Sequence, residues 1–279
     1  MPKMKQKEPF LLHIYGHFRF DCGGNAMRSL VFASRVGKEI RRDPLSYIFC
    51  LGFPIVMLIV MSIVDSSIPP EANMTVFHIE NLAPGIAYFG LTFVMLFVGI
   101  QVSKDRTTAL LLRLYASPMK PLEYLIGYTL PVCVLGVFQM VICFAAAFVI
   151  GLCKDYTFSV SAILLSMVLL LPSMLLFVGI GILFGSAVSE KAAPGLCSII
   201  ISAVGIIGGV WMDIDGLGGG IKKVAEVLPF YHGVKLSRLP FANTFDEAPV
   251  NLLWTIGFGV LFYVLATLVF TAKIRKDVK

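Results

Sequence analysis

The chain has 279 residues, of which 57% are hydrophobic and 14% charged, and its mean hydropathy is +0.86. Soluble domains carry about 25% charged residues, so this composition excludes an ordinary soluble fold, a coiled coil and a disordered chain. In so apolar a chain the net charge of +6 reports topology first, and no nucleic-acid partner is expected.

Residues 1–26 read as an N-terminal extension without a cleavable signal peptide, because the run from Phe10 to Phe20 is broken by His13, His17 and Arg19 and lacks a small-residue cleavage site. Translation starting at Met27 is an expectation that an intact-mass measurement checks. Residues 27–43 place Arg28, Arg35, Lys38 and Arg42 on one helical face and Leu30, Ala33, Val36 and Ile40 on another. That pattern predicts an interfacial helix along the inner leaflet, its basic face towards phosphate headgroups. The Asp43-Pro44 step ends it, since the residue before proline is pushed out of helical space.

Six apolar runs follow, at about 47–64, 82–102, 124–152, 160–187, 194–212 and 250–272. Each is predicted to cross a bilayer as a helix, which satisfies its own backbone where water is absent. Of the 23 Lys and Arg, 18 fall on the side of the amino terminus if all six cross. The positive-inside rule then puts both termini in the cytoplasm, in a multi-pass protein of the cell membrane. The inner connection 103–123 holds Leu110, Leu111 and Leu114 at helical spacing, flanked by Arg106 and Arg113 and closed by Pro118. This predicts a short amphipathic cytoplasmic helix. The outer connection 213–249 carries Gly216, Gly218, Gly219 and Gly220 and then Pro229-Phe230-Tyr231-His232, a glycine joint followed by short helices dipping towards the membrane.

None of the six runs contains Asp, Glu, Lys, Arg or His. Ion-coupled transporters, proton relays and many intramembrane enzymes need such a group in the bilayer, so those classes are disfavoured. Gln139 and Ser173 are candidates for a translocation path, although a helix-to-helix hydrogen bond is the commoner role of an intramembrane Gln. Gly179, Gly181 and Gly185 read as close helix packing rather than a gate. Metal chemistry is weakly signalled: His13 and His17 lack further ligands, and Asp213 and Asp215 lack the rest of a calcium loop. The six cysteines form no CxxC pair, so neither disulfides nor zinc is favoured. No GxxxxGK[ST] phosphate loop exists, so any ATP is handled by another chain.

Three stretches, in order, resemble the ABC-2 permease family, the membrane subunits of type-2 ABC exporters. Lys38-Glu39-Ile40-Arg41-Arg42-Asp43-Pro44 is similar to its KE-x-x-R-D-P motif, Lys104-Asp105-Arg106-Thr107-Thr108 to Ala116-Ser117-Pro118 to its R-E-x-GT-x-x-x-L-x-ASP segment, and Leu228-Pro229-Phe230-Tyr231-His232 to its L-P-x-x-H region. Thr108-Ala109 stands where the family usually shows Gly-Thr. The resemblance implies an all-α membrane protein: the interfacial helix 27–43, then a transmembrane domain over 44–279 with six spans, a cytoplasmic coupling helix and short outer re-entrant helices before the last span. It implies that residues 105–117 dock on a separate ATP-binding cassette subunit, with Asp105, Arg106, Leu110, Arg113, Leu114, Ala116, Ser117 and Pro118 in the contact. Residues 221–239, with Pro229, Phe230, Tyr231 and His232, correspond to helices capping the exit. No cofactor is implied on this chain, ATP and Mg belonging to the partner; a second permease subunit, identical or different, completes the assembly.

Four readings follow. The resemblance favours a half-transporter exporting a hydrophobic or amphipathic, drug-like or lipid-like substrate, not itself an enzyme. The runner-up is export of a polysaccharide or another envelope polymer. A third is a membrane enzyme with an outer site around His232, Asp246 and Glu247, and a fourth a receptor using its spans as a scaffold.

Overall fold

A computed structural model describes residues 25–69, 74–107 and 119–277. Its helices in chain order are α1 (Asn25–Arg42), α2 (Pro44–Ser67), α3 (Ile79–Thr107), α4 (Pro121–Cys153), α5 (Val160–Ala187), α6 (Ala193–Ile206), α7 (Ile214–Leu217), α8 (Gly219–Val227), α9 (Pro229–Ala242) and α10 (Ala248–Asp277). No strand occurs among the described residues.

The break between α1 and α2 falls at Asp43-Pro44. The Asp43 carboxylate accepts from Leu45 N at 3.2 Å and from Ser46 Oγ at 2.7 Å, restarting the helix, and Pro44 occupies a first-turn position where no N–H is needed. Within α2, residues Ile48–Gly52 form a π turn just before Pro54. A proline lacks the N–H that would bond four residues back and its ring crowds that carbonyl, and the wider turn absorbs both effects.

Five helices, α2, α3, α4, α5 and α10, are long and apolar enough to cross a membrane. The most apolar stretch of α3 is 78% buried, against 22% for α2 and 17% for α10. Helix α3 is thus the central post, in contact with α2, α4, α5, α6 and α9. The outward faces of α2 and α10 carry Val56, Ile59, Ile63, Leu253, Val260 and Leu268, the surface expected of a protein solvated by lipid. Helices α3 and α5 pack backbone to backbone: Gly181 lies against the Met95 carbonyl, and a Cβ at Gly185 would stand 2.5 Å from the Gly99 carbonyl. The small residues at 181 and 185 are there because nothing larger fits, the packing role expected of them.

Contacts at the helix ends order the bundle. Arg106 near the end of α3 bonds the end of α5, and Tyr124 at the start of α4 meets both Phe32 of α1 and Phe270 of α10. These ends share one pole, called the base. At the other pole Lys154 beyond α4 reaches Asp65 of α2 at 2.6 Å, and Ser166 of α5 bonds the Ser237 carbonyl of α9 at 2.8 Å.

Of the expected span 194–212, only the first part is helical. Helix α6 has 14 residues, roughly 21 Å of rise against a hydrocarbon core of about 30 Å, and it stops at Ile206. Gly208 and Gly209 turn the chain, Gly209 at φ +80, and Trp211 N bonds back to the Gly205 carbonyl at 3.2 Å. Along α3, Cys197 lies beside Gly99 near the base and Trp211, beyond the end of α6, beside Phe89 nearer the middle.

The outer connection is three helices. Asp213 caps α7 by accepting from Asp215 N and Gly216 N at 3.1 Å. Gly218, at φ +59 and ψ −154, makes the sharp joint into α8 that a side chain would resist. Helix α9 is enclosed by α3, α5 and α10, with Pro229, Phe230, Tyr231, His232, Val234, Leu236 and Leu239 buried.

Candidate functional site

At the base, three helices bring their polar residues onto one carboxylate. Helix α1 supplies Arg35 and Glu39, one turn apart; the end of α3 supplies Gln101 and Asp105; the start of α4 supplies Tyr128. Asp105 is only 3% exposed, and it accepts two hydrogen bonds from Arg35, Nη1 to Oδ2 at 3.2 Å and Nη2 to Oδ1 at 3.1 Å. Tyr128 Oη donates to the same carboxylate at 2.8 Å and Gln101 Nε2 at 3.4 Å. Arg35 Nη2 also donates to Glu39 at 2.7 Å, and Gln101 bonds the other Glu39 oxygen. Burial works to lower the Arg35 pKa, but the Asp105 bonds and the charges of Asp105 and Glu39 outweigh it and hold the guanidinium above its ordinary value. The paired fork of Arg35 on Asp105 fixes orientation as well as distance.

The neighbouring Arg106 donates through Nη1 to the Gly185 carbonyl at 3.4 Å and to the Ser186 carbonyl, covering the open carbonyl end of α5. Phe32 sets its ring edge to face against Tyr124 and Tyr128 at 5.3 and 5.0 Å, over Gly127. The base therefore locks α1, α3, α4 and α5 together at the place where the chain leaves α3 for residues 108–118. Leu110, Arg113, Leu114, Ala116, Ser117 and Pro118 lie outside the described residues; Asp105 and Arg106 are the root of that segment. Where the chain returns, Glu123 accepts from Lys120 N at 3.1 Å and starts α4.

The two-faced reading of α1 is altered. Its buried face is Ser29, Phe32, Ala33, Val36 and Ile40, whereas Leu30 is 55% exposed. Arg35 turns into the bundle, and Lys38 and Arg42 stay exposed, with Arg28 intermediate. Residues 29, 32, 33, 36 and 40 keep helical spacing, and the stripe faces α4, with Phe32 between Tyr124 and Tyr128.

Elsewhere, Gln139 is buried and donates to the Ala87 carbonyl at 3.4 Å, a link between α4 and α3 across Gly90. Ser173 on α5 is fully buried and its Oγ has no partner. Pro229, Phe230, Tyr231 and His232 form the first turn of α9. Phe230 stacks on Phe177, Tyr231 Oη donates to Asp215 at 2.6 Å, and His232 stacks on Trp254 at 5.0 Å. Both His232 nitrogens are engaged, Nε2 donating to the Glu226 carbonyl and Nδ1 facing the Asn251 amide, each at 2.8 Å. Of the other two residues of the enzyme reading, Glu247 is engaged with Lys235 and Asp246 is exposed.

Sequence reasoning missed two things at the far pole. One is an ion cluster: Asp215 pairs with Lys222 at 2.8 Å and Lys235 at 3.3 Å, and Lys235 sits 4.8 Å from the Tyr231 ring centre. Burial works to raise the Asp215 pKa, yet the Lys222 and Tyr231 bonds and the Lys235 charge overcome it and bring it down to about 2. The other is Arg238, drawn into the bundle by α9, its Nε donating to the Asn81 carbonyl at 3.0 Å. Burial pulls its pKa down to about 10, with Asp213 and Asp215 opposing, so it stays charged at neutral pH.

Long apolar helices around a polar base define the class: a multi-pass membrane protein. A sequence model of the ABC-2 family transporter proteins matches residues 70–268, well over half the chain. The chain belongs to the ABC-2 transporter family and is the membrane component of an ABC transport system. A search of curated proteins found no match.

Proposed function

We propose that this chain is the permease half of an ATP-driven exporter, with residues 105–117 as the coupling element that docks on a separate ATP-binding cassette subunit. The observation that carries the reading is the locked base, where Asp105 and Arg106 tie the root of that segment to α1, α4 and α5. A docked element transmits motion only if its root is stiff, because a loose joint absorbs the displacement. ATP and Mg belong to the partner, and the charge-free spans suit a driving force applied from outside the membrane. Six crossings are proposed, α6 completing its passage through the turn at 207–212, which returns both basic termini to the cytoplasm. The exposed faces of α2 and α10 meet lipid or a second permease subunit, and α8 and α9 cap the outer exit. The cargo is hydrophobic or amphipathic, drug-like or lipid-like, moved out of the cytoplasm or inner leaflet of the cell membrane.

The test is co-purification with a candidate ATP-binding cassette subunit, followed by substrate-stimulated ATP hydrolysis in proteoliposomes. Replacing Leu110 and Arg113 by Glu is expected to abolish association while leaving the permease monodisperse. Unchanged association and unchanged stimulation overturn the assignment of the coupling element.

A further inference from the structure

Residues 213–227, which are α7 and α8 with the Gly218 joint between them, are held to the bundle on one side. Within that stretch Ile214 and Ala225 alone are buried, whereas Leu217, Ile221, Val224 and Val227 are exposed. Both buried residues join Tyr231 of α9 in a small apolar cluster, apart from the main core. The polar ties fall on the same part of α9. Tyr231 Oη donates to Asp215 at 2.6 Å, Lys235 meets the second Asp215 oxygen at 3.3 Å, and His232 Nε2 donates to the Glu226 carbonyl at 2.8 Å.

On either side of this stretch the chain is anchored. Val210 is fully buried and Trp211 packs on Phe89 of α3 at 5.2 Å; beyond the stretch, Phe230 stacks on Phe177 of α5 at 6.1 Å and α9 is buried through most of its length. Between these anchors, Gly218 and Gly219 take positive φ, +59 and +62, and a side chain built on Gly218, Gly219 or Gly220 would meet nothing within 4 Å. A segment that buries two residues and is otherwise tied by exposed ions separates from its support at lower cost than the core beneath it opens. In the closed position the charges of Asp213 and Asp215 also favour the buried guanidinium of Arg238.

We propose that residues 213–227 are a flap over the outer end of the bundle, closed here by a latch of Asp215 on Tyr231 and Lys235, and that it lifts as a unit while α9 stays in place. The inference rests on the exporter reading for its purpose, since it names the part of the outer cap that moves when cargo leaves. Its test uses neither ATPase nor cargo, so a failed flap leaves the exporter assignment standing, and a failed coupling element leaves the flap standing.

Hydrogen exchange of the full chain in detergent, followed by peptide mass spectrometry, reads the opening. Peptides of α8 are expected to exchange ahead of those of α9 and α3. Tyr231→Phe removes the phenol bond to the carboxylate and Asp215→Asn removes the charge. Each is expected to raise α8 exchange roughly 10-fold, the loss of one hydrogen bond to a charged group, with α9 and α3 unchanged. Asp215 lies on the exposed side of the latch, so Asp215→Asn decides the matter if Tyr231→Phe does not fold. Ala225→Cys, in a Cys153→Ser background that removes the exposed native thiol, places a reactive group on the closed face. It is expected to react slowly with a soluble maleimide and roughly 10-fold faster when combined with Asp215→Asn, while the fully buried Cys197 stays unmodified in both. Exchange of α8 in step with α9, α8 rates unchanged in the latch variants, or acceleration of α8 and α9 alike overturns the flap, as does modification of Cys197 in step with the new thiol.

Discussion

Replacing Asp105 by Asn keeps the shape of the side chain and removes what the base is built around. The carboxylate accepts from Arg35 twice, from Tyr128 and from Gln101, four donors on two oxygens. An amide offers one oxygen and turns an NH₂ towards donors, either Arg35 Nη2 and Gln101 or Arg35 Nη1 and Tyr128. Breaking a fully buried ion pair costs about 3–5 kcal/mol. Arg35 is 30% exposed along its side chain and keeps Glu39 at 2.7 Å, which reduces that figure. The expected loss is roughly 2–3 kcal/mol, mostly from the stranded Arg35 and Tyr128 protons. Chemical unfolding in mixed micelles, read by tryptophan fluorescence, measures it for Asp105→Asn, Arg35→Gln and the double variant. The double variant should destabilise by clearly less than the sum of the two, with a coupling of roughly 1–3 kcal/mol. Co-purification of the ATP-binding subunit with Asp105→Asn should fall in parallel. Additive effects, or a loss below about 0.5 kcal/mol, would show that the base is a surface decoration and that its stiffness was wrongly inferred.

Two further outcomes follow from the same geometry. The folded pKa of Asp215 lies at about 2, below its unfolded value near 3.9, so its contribution is complete above about pH 4 and disappears as pH falls towards 2. The melting temperature of Asp215→Asn should therefore trail the wild type by a constant gap from pH 8 to pH 5, closing only between about pH 4 and pH 2; a gap that closes by pH 5.5 contradicts the ion cluster. Gly185→Val drives a branched side chain into the Gly99 carbonyl and Val102, so it should destabilise by about 1–3 kcal/mol or more, measurable by the same unfolding assay. Gly195→Ala, where nothing approaches, serves as the control and should be close to neutral.

Much of the bundle was legible because helices in lipid announce themselves by composition. Helix α5 begins and ends where its apolar run does, and Asp43-Pro44 breaks α1 from α2 as a cap followed by proline must. What was not legible has physical causes. The run ending in Gly-Gly-Val-Trp stays apolar after the backbone has turned at Gly209, so hydropathy overstates α6. Helix α9 contains His232, Lys235, Arg238 and Pro240, which hide its enclosure, because burial there is provided by neighbouring helices rather than by its own composition. The pairing of Arg35 with Asp105 spans 70 positions and is a property of the fold alone. The spans remain free of charge as read, yet the bundle is not, since α9 brings Arg238 inside.

Helix α3 is one piece with 29 residues, about 43 Å from end to end. Its basal end leads into residues 108–118, and its other half holds Tyr88 against Gly233 and the Asn81 carbonyl against Arg238. It therefore works as a lever with a load at each tip: a tilt of about 5° pivoting at the base sweeps the outer tip through roughly 4 Å. A sweep of that size exceeds the length of a hydrogen bond, so the bond between Asn81 and Arg238 lasts only while α3 and α9 move together.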